Sequence, residues 1–162
     1  MSYPKPERTN KASAPSVRWL DDEQQTSWRA MATMTARLRW ALEWQLERDA
    51  DLSFMEYHTL ARLSEDPDHT MRMSDLAVVT DSSLSRLSHL IKRLEVRGFV
   101  RREPDPTDGR YTNAVLTKAG HKHLIASAPA HVATVRQLVI DPFTKTELRQ
   151  LHKAAERILR GV

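Results

Sequence analysis

The stretch from Leu84 to Arg97 limits the possible fold more than any other part of this chain. Leu84, Leu87, Ile91 and Leu94 recur at steps of three, four and three, which lays one apolar stripe along an α-helix. Ser85, His89, Lys92, Arg93 and Val96 fall on the opposite side, and Gly98 follows in the position of a helix C-cap. Two strand-like runs come next, Phe99 to Glu103 and Tyr111 to Leu116. Between them Pro104-Asp105-Pro106-Thr107-Asp108-Gly109-Arg110 reads as a turn-rich hairpin loop with charged residues at its tip.

The flanking sequence is helical. Met73 to Thr80 supports a short helix with Leu76, Ala77 and Val79 inward, and Thr80-Asp81-Ser82-Ser83 is a polar turn whose serines can cap the helix that follows. Ser53 and Glu56 form a capping box that opens a helix from Phe54 to about Glu65, stopped by Asp66-Pro67. From Asp21 onward, Trp28, Met31, Thr35, Leu38, Leu42 and Leu46 mark one face of a long amphipathic helix. Trp40 and Trp44 make that helix apolar around more of its girth than one-sided packing requires, so a second contact surface such as a dimer interface is expected. Thr117 caps another long helix, Lys118 to about Val139, with Pro129 as a candidate kink; Thr144 and Glu147 open a final amphipathic helix carrying Leu148, Leu151, Ala155 and Ile158. Only four of the 162 residues are glycine, which speaks against glycine-rich cofactor cradles and turn-dense all-β folds. The expected fold is mainly α with a small β-hairpin wing.

Charge is unevenly spread. Residues 21–70 carry a net charge of −6, whereas 71–118 carry +3 and 119–162 carry +4, so the basic surface belongs to the middle and end of the chain and suits a polyanion such as nucleic acid. With no cysteine, the chain has no disulfide scaffold, thiolate metal site, cysteine nucleophile or thiol redox switch. No run approaches the ~18 apolar residues of a membrane helix, and the N-terminus has no apolar signal core, so a cytoplasmic protein without membrane association is expected. Residues 1–20 are expected to form a disordered tail.

A short helix, a tight turn, a helix with an apolar underside and a Ser/Arg/His/Lys upper face, and then a basic hairpin make a winged helix-turn-helix. A polar stripe alone is more often a solvated helix face; the hairpin behind it reverses that reading in favour of a reading helix. Such a helix buries one face to stay rigid and offers the other to the major groove, where arginine pairs bidentately with guanine. Candidate DNA contacts are Ser83, Ser85, Arg86, His89, Lys92 and Arg93.

From Met73 through Gly120 the sequence resembles the winged helix of the MarR transcriptional regulators. Arg93-Leu94-Glu95-Val96-Arg97-Gly98-Phe99-Val100-Arg101-Arg102, the wing Asp105-Pro106-Thr107-Asp108-Gly109-Arg110, and Leu116-Thr117-Lys118-Ala119-Gly120 carry the likeness without a gap. The resemblance implies a homodimer joined through the first and last two helices, here 21–52 and 118–162, around a DNA-binding region at 53–117, with two reading helices and two wings spanning a palindrome. Arg110 corresponds to a wing-tip arginine that enters the minor groove, and Asp108 to a carboxylate that orients it. The chain departs from the family pattern at His89, where arginine is usual, and at Gly109, where a basic residue is frequent.

The resemblance also implies a small aromatic or phenolic ligand between the dimerisation helices and the winged helix, with Trp28, Met31, Met55, His58 and Arg62 as candidates. The same residues are also what an ordinary helical core would contain. No cofactor and no metal are expected: His121 and His123 are two apart on a helix and point about 200° apart, which prevents joint chelation of one ion. The motifs of common enzyme sites are missing, so no catalysis is expected. The expectation is a sequence-specific regulator of transcription, a repressor, acting as a homodimer on double-stranded DNA. A winged helix used only for protein contact is the alternative.

Overall fold

Residues 17–161 are described by the computed structural model; the proposed tail at 1–20 lies mostly outside them. The chain divides into two compact units, one ending at Thr35 and one beginning at Ala36. Helix α1 (Asp22–Ala50) begins in the first unit, where Trp19, Trp28 and Met34 are exposed.

In the second unit, α1 ends at Ala50 and is followed by α2 (Phe54–Glu65), β1 (Thr70–Arg72), α3 (Met73–Val79), α4 (Leu84–Val96), β2 (Val100–Pro104), β3 (Thr112–Leu116), α5 (Lys118–Val135), a π-helical turn (Arg136–Ile140) and α6 (Lys145–Leu159). Local signals set most boundaries. The Ser53 hydroxyl accepts the Glu56 N–H at 3.2 Å while the Glu56 carboxylate accepts the Ser53 N–H at 3.0 Å, and Thr144 and Glu147 make the same reciprocal box on α6. Gly98, at φ 73°, ends α4 in the left-handed conformation that glycine adopts without a Cβ penalty.

The core lies between α2, α3, α4 and the sheet. Leu52, Leu60, Leu63, Leu76, Leu87, Ile91 and Leu94 are fully buried, and Val100, Ala114, Leu116 and Leu124 close around them. The sheet has the order β1-β3-β2, antiparallel throughout, with Arg72 opposite Asn113 and Arg102 opposite Ala114. Strand β1 has no counterpart in the sequence reading, because three residues are too few to display an alternation. Two apolar assignments also change. Val79, at the last position of α3, and Leu84, at the first of α4, are exposed. Leu84 shares the bearing of the buried Ile91 but stands two turns nearer the N-terminus, past the edge of the core; Leu90 is buried in its place.

Helix α5 runs through Pro129 and only at Arg136 loosens into the π-helical turn, short of the regular helix to Val139 expected from sequence. Its first turn sits directly on the hairpin. The Thr117 hydroxyl donates to the Gly98 carbonyl at 2.7 Å and accepts the Gly120 N–H at 3.0 Å, and a Cβ on Gly120 would collide with the Phe99 carbonyl oxygen. Helix α6 is strongly amphipathic, yet none of its residues is buried. Among the described residues, no helix is long and apolar enough to cross a membrane, and no group of three or more His, Cys, Asp or Glu side chains is arranged to hold a metal ion.

Candidate nucleic-acid interface

Helix α4 is fixed from below and capped from the front. Leu87, Leu90, Ile91 and Leu94 anchor its underside, and the Ser83 hydroxyl accepts the Arg86 N–H at 3.3 Å, so Ser83 is the N-cap. In the turn before it, the buried Thr80 hydroxyl donates to the Leu76 carbonyl at 2.6 Å, and Asp81 adopts φ 49°. On the outer side, Ser85, Arg86, His89 and Lys92 are exposed, and their side chains make no hydrogen bond or ion pair with other described residues. A helix of this diameter fits the ~12 Å major groove of B-form DNA, and these four side chains are the unspent donors and acceptors along its free face.

Arg93 is differently employed. Its Nε donates to Glu56 Oε1 at 3.0 Å, tying α4 to the capping box of α2. Burial pushes the Glu56 carboxyl up, but its bonds from Ser53 and Arg93 outweigh that effect and hold it below its ordinary value. Arg102 joins α4 to the hairpin through Glu95: its Nε and a terminal nitrogen lie 2.9 and 2.7 Å from Oε2, and its backbone N–H donates to Oε1 at 3.0 Å.

At the wing tip, Arg110 lies alongside Asp108 in a two-pronged pair, Nε to Oδ1 at 2.9 Å and a terminal nitrogen to Oδ2 at 2.6 Å. The Arg110 side chain is 85% exposed, so the carboxylate fixes its direction without covering it. Arg110 in turn holds the Asp108 carboxyl below its usual range. Deeper in the loop is an arrangement that the sequence reading lacks. Asp105 is buried, accepts the N–H groups of Thr107 and Asp108, and receives Arg72 Nε at 2.8 Å. Asp105 could have been suspected from its place before a proline in a tight loop; Arg72, 33 residues earlier, carries no signal in the sequence.

The ligand candidates are dispersed. In the first unit, Trp28 and Met31 border a shallow groove with the acidic Asp21 and Glu23. In the second, Met55 lines a hollow of about 460 Å³ with Arg39, Arg86, His89 and Arg93, whereas Arg62 lines a separate one with Glu65, Met71 and Val79. His58 stacks on Phe54 at 5.9 Å, and burial, aided by the charge of Arg62, lowers its pKa.

The MarR family profile matches residues 50–110, from the end of α1 to the wing tip. AbsC, a MarR family transcriptional regulator from Streptomyces coelicolor, is 42% identical to this chain with a TM-score of 0.85, the match covering 90% of this chain and all of that one. The chain belongs to the MarR family. Another member from the same organism, Sco3205, solved in complex with DNA, superposes with a TM-score of 0.88 at 38% identity over 91% of this chain and 92% of its own. The transcriptional regulator HosA of Escherichia coli is 34% identical over 87 residues, and the chain spans only 62% of that relative's length. The winged helix seen here is therefore that of the MarR transcriptional regulators.

Proposed function

We propose that this MarR-family protein is a sequence-specific, double-stranded DNA-binding transcriptional regulator that represses by occupying a palindromic operator as a homodimer. One observation carries the reading: a helix anchored by four buried apolar residues presents Ser85, Arg86, His89 and Lys92 without partners, beside a hairpin that holds Arg110 out in solvent. Sco3205, the relative bound to DNA, supports it. In this reading 53–117 is the DNA-binding region, with Ser83 and Arg93 serving mainly to hold α4, while 21–52 and 118–162 join the two copies.

A small aromatic acid is the proposed effector. The hollow at Met55 suits it better than the groove at Trp28, because Arg39, Arg86 and Arg93 outnumber the one carboxylate of its lining, Asp81, whereas the groove is lined by Asp21 and Glu23. Two of those cations lie on α4, so the same acid would compete with DNA.

Selection of bound duplexes from a random pool, followed by salt-dependent binding assays, tests the reading. Arg110→Ala should weaken operator binding by a few kcal/mol over the two wings and lower the salt slope by about one to two, with less preference for A·T pairs flanking each half-site. Unchanged affinity and slope would remove the wing from the DNA interface and favour a protein-contact role.

A further inference from the structure

Arg72 stands at the N-cap of α3, a position where serine, threonine or aspartate ordinarily accepts a backbone N–H, yet its side chain makes no capping bond. The guanidinium instead reaches from the end of β1 to the wing loop. It donates through Nε to Asp105 Oδ2 at 2.8 Å, approaches the Thr107 hydroxyl at 3.4 Å and lies over the Tyr111 ring, 4.8 Å from its centroid. Those contacts fall at the start, middle and end of the loop, and Tyr111 is the immediate neighbour of Arg110.

The loop is closed around the same point. Asp105 donates its N–H to the Tyr111 carbonyl at 3.0 Å, and its two oxygens divide their work: Oδ1 accepts from Thr107 and Asp108, Oδ2 from Arg72. Arg72, first among these partners, keeps the Asp105 carboxyl well below the usual carboxylate range, so the pair stays charged throughout the neutral range.

We propose that Arg72 is a positioning residue for DNA recognition: by clamping Asp105 and Tyr111 it fixes the direction of the wing, and hence of Arg110, relative to the reading helix. The clamp rests on the wing being a DNA-contacting element, as proposed above. Its logic is preorganisation, since a wing already aimed loses little freedom on binding. The route to α4 is short, because α3, which Arg72 begins, packs on α4.

Arg72→Met keeps the apolar stem and removes the forked head. It should weaken binding to the selected operator about five- to tenfold and flatten the preference for A·T flanks, yet add less than about twofold in an Arg110→Ala background, as residues acting through one another are non-additive. Asp105→Asn, which retains an oxygen for Thr107 and Asp108, should match Arg72→Met, although it removes a negative charge from a surface facing phosphate. Arg72→Lys, which cannot fork, should restore only part of the loss.

Additive losses, a separate fall in salt slope for Arg72→Met, or tighter binding by Asp105→Asn would make Arg72 a phosphate contact and overturn the proposal. Hydrogen exchange supplies a readout independent of DNA. Faster exchange at the Thr107 and Asp108 amides in Arg72→Met, with α4 unchanged, supports the clamp, and unchanged exchange overturns it. Should the wild-type protein select no duplex at all, the DNA reading fails, while the exchange data still decide whether Arg72 braces the loop.

Discussion

The winged-helix region and the C-terminal helix α6 use apolar residues in opposite ways. Between Leu52 and Leu116 the chain buries every leucine except Leu84 and completes its own core. Helix α6 has as clear an apolar face, yet it leaves Ile158 and Leu159 exposed and buries no residue. The first region carries the information for its own stability. The second presents an apolar face that no other described residue buries, and the proposed homodimer would cover it; the exposed Trp40 and Trp44 of α1 fit the same proposal.

The largest test of this contrast is assembly. At micromolar concentration the protein should sediment as a species of twice 18.6 kDa, and replacing both Ile158 and Leu159 by aspartate should convert it to the single-chain species; sedimentation of the wild type as a lone chain would leave the apolar face of α6 without the proposed partner. Next in size is the core. Leu94→Ala, at a fully buried site, should cost ~2–5 kcal/mol in denaturant unfolding, independent of protein concentration. Ile158→Ala should destabilise only where the dimer is populated, so its effect should fade on dilution.

The smallest effect is in pH, and it sharpens the contrast further. His131, on α5, is half-buried, bonds through Nδ1 to Gln45 Oε1 at 3.0 Å, and burial lowers its pKa. A depressed histidine favours the neutral form on folding, so its stabilising contribution holds above its ordinary value of 6.5 and is lost as pH falls from there. Glu56, in the winged helix, is depressed below 4.5, so its contribution persists until pH falls beneath that value. Asp49, near the end of α1 and drawn down to about 2 by its bonds from Arg48 and then Gln45, persists further still. Acid titration followed by hydrogen exchange should therefore loosen the contact of α5 with α1 before α2 and α4. Simultaneous loosening, or the reverse order, would contradict the assignment.

What was legible in the sequence was local. The capping boxes at Ser53 and Thr144, the Gly98 stop and the Asp108–Arg110 pair all act across two to four residues, and each stands where the spacing puts it. What was not legible depends on partners far along the chain. Strand β1 exists because β3, more than 40 residues later, offers it an edge. Arg93 reads as one more outward cation until Glu56, 37 residues earlier, comes beside it. Leu84 fits the apolar stripe by angle and misses the core by position along the axis. The family pattern recovered the wing because its residues are contiguous, but it did not name Arg72, whose contribution exists only after the sheet has formed.

Gly120 has a different kind of influence. Where α5 meets Phe99, main chain rests on main chain, and the separation is set by atoms that every residue shares. The Leu116 side chain closes the same spot, its Cδ1 only 2.9 Å from where a Cβ would stand. A methyl group at position 120 would act as a shim, lifting the helix off its seat and pulling at the bond from Thr117 to Gly98. The joint between the hairpin and the long helix therefore has a fixed tolerance, machined by the absence of a side chain.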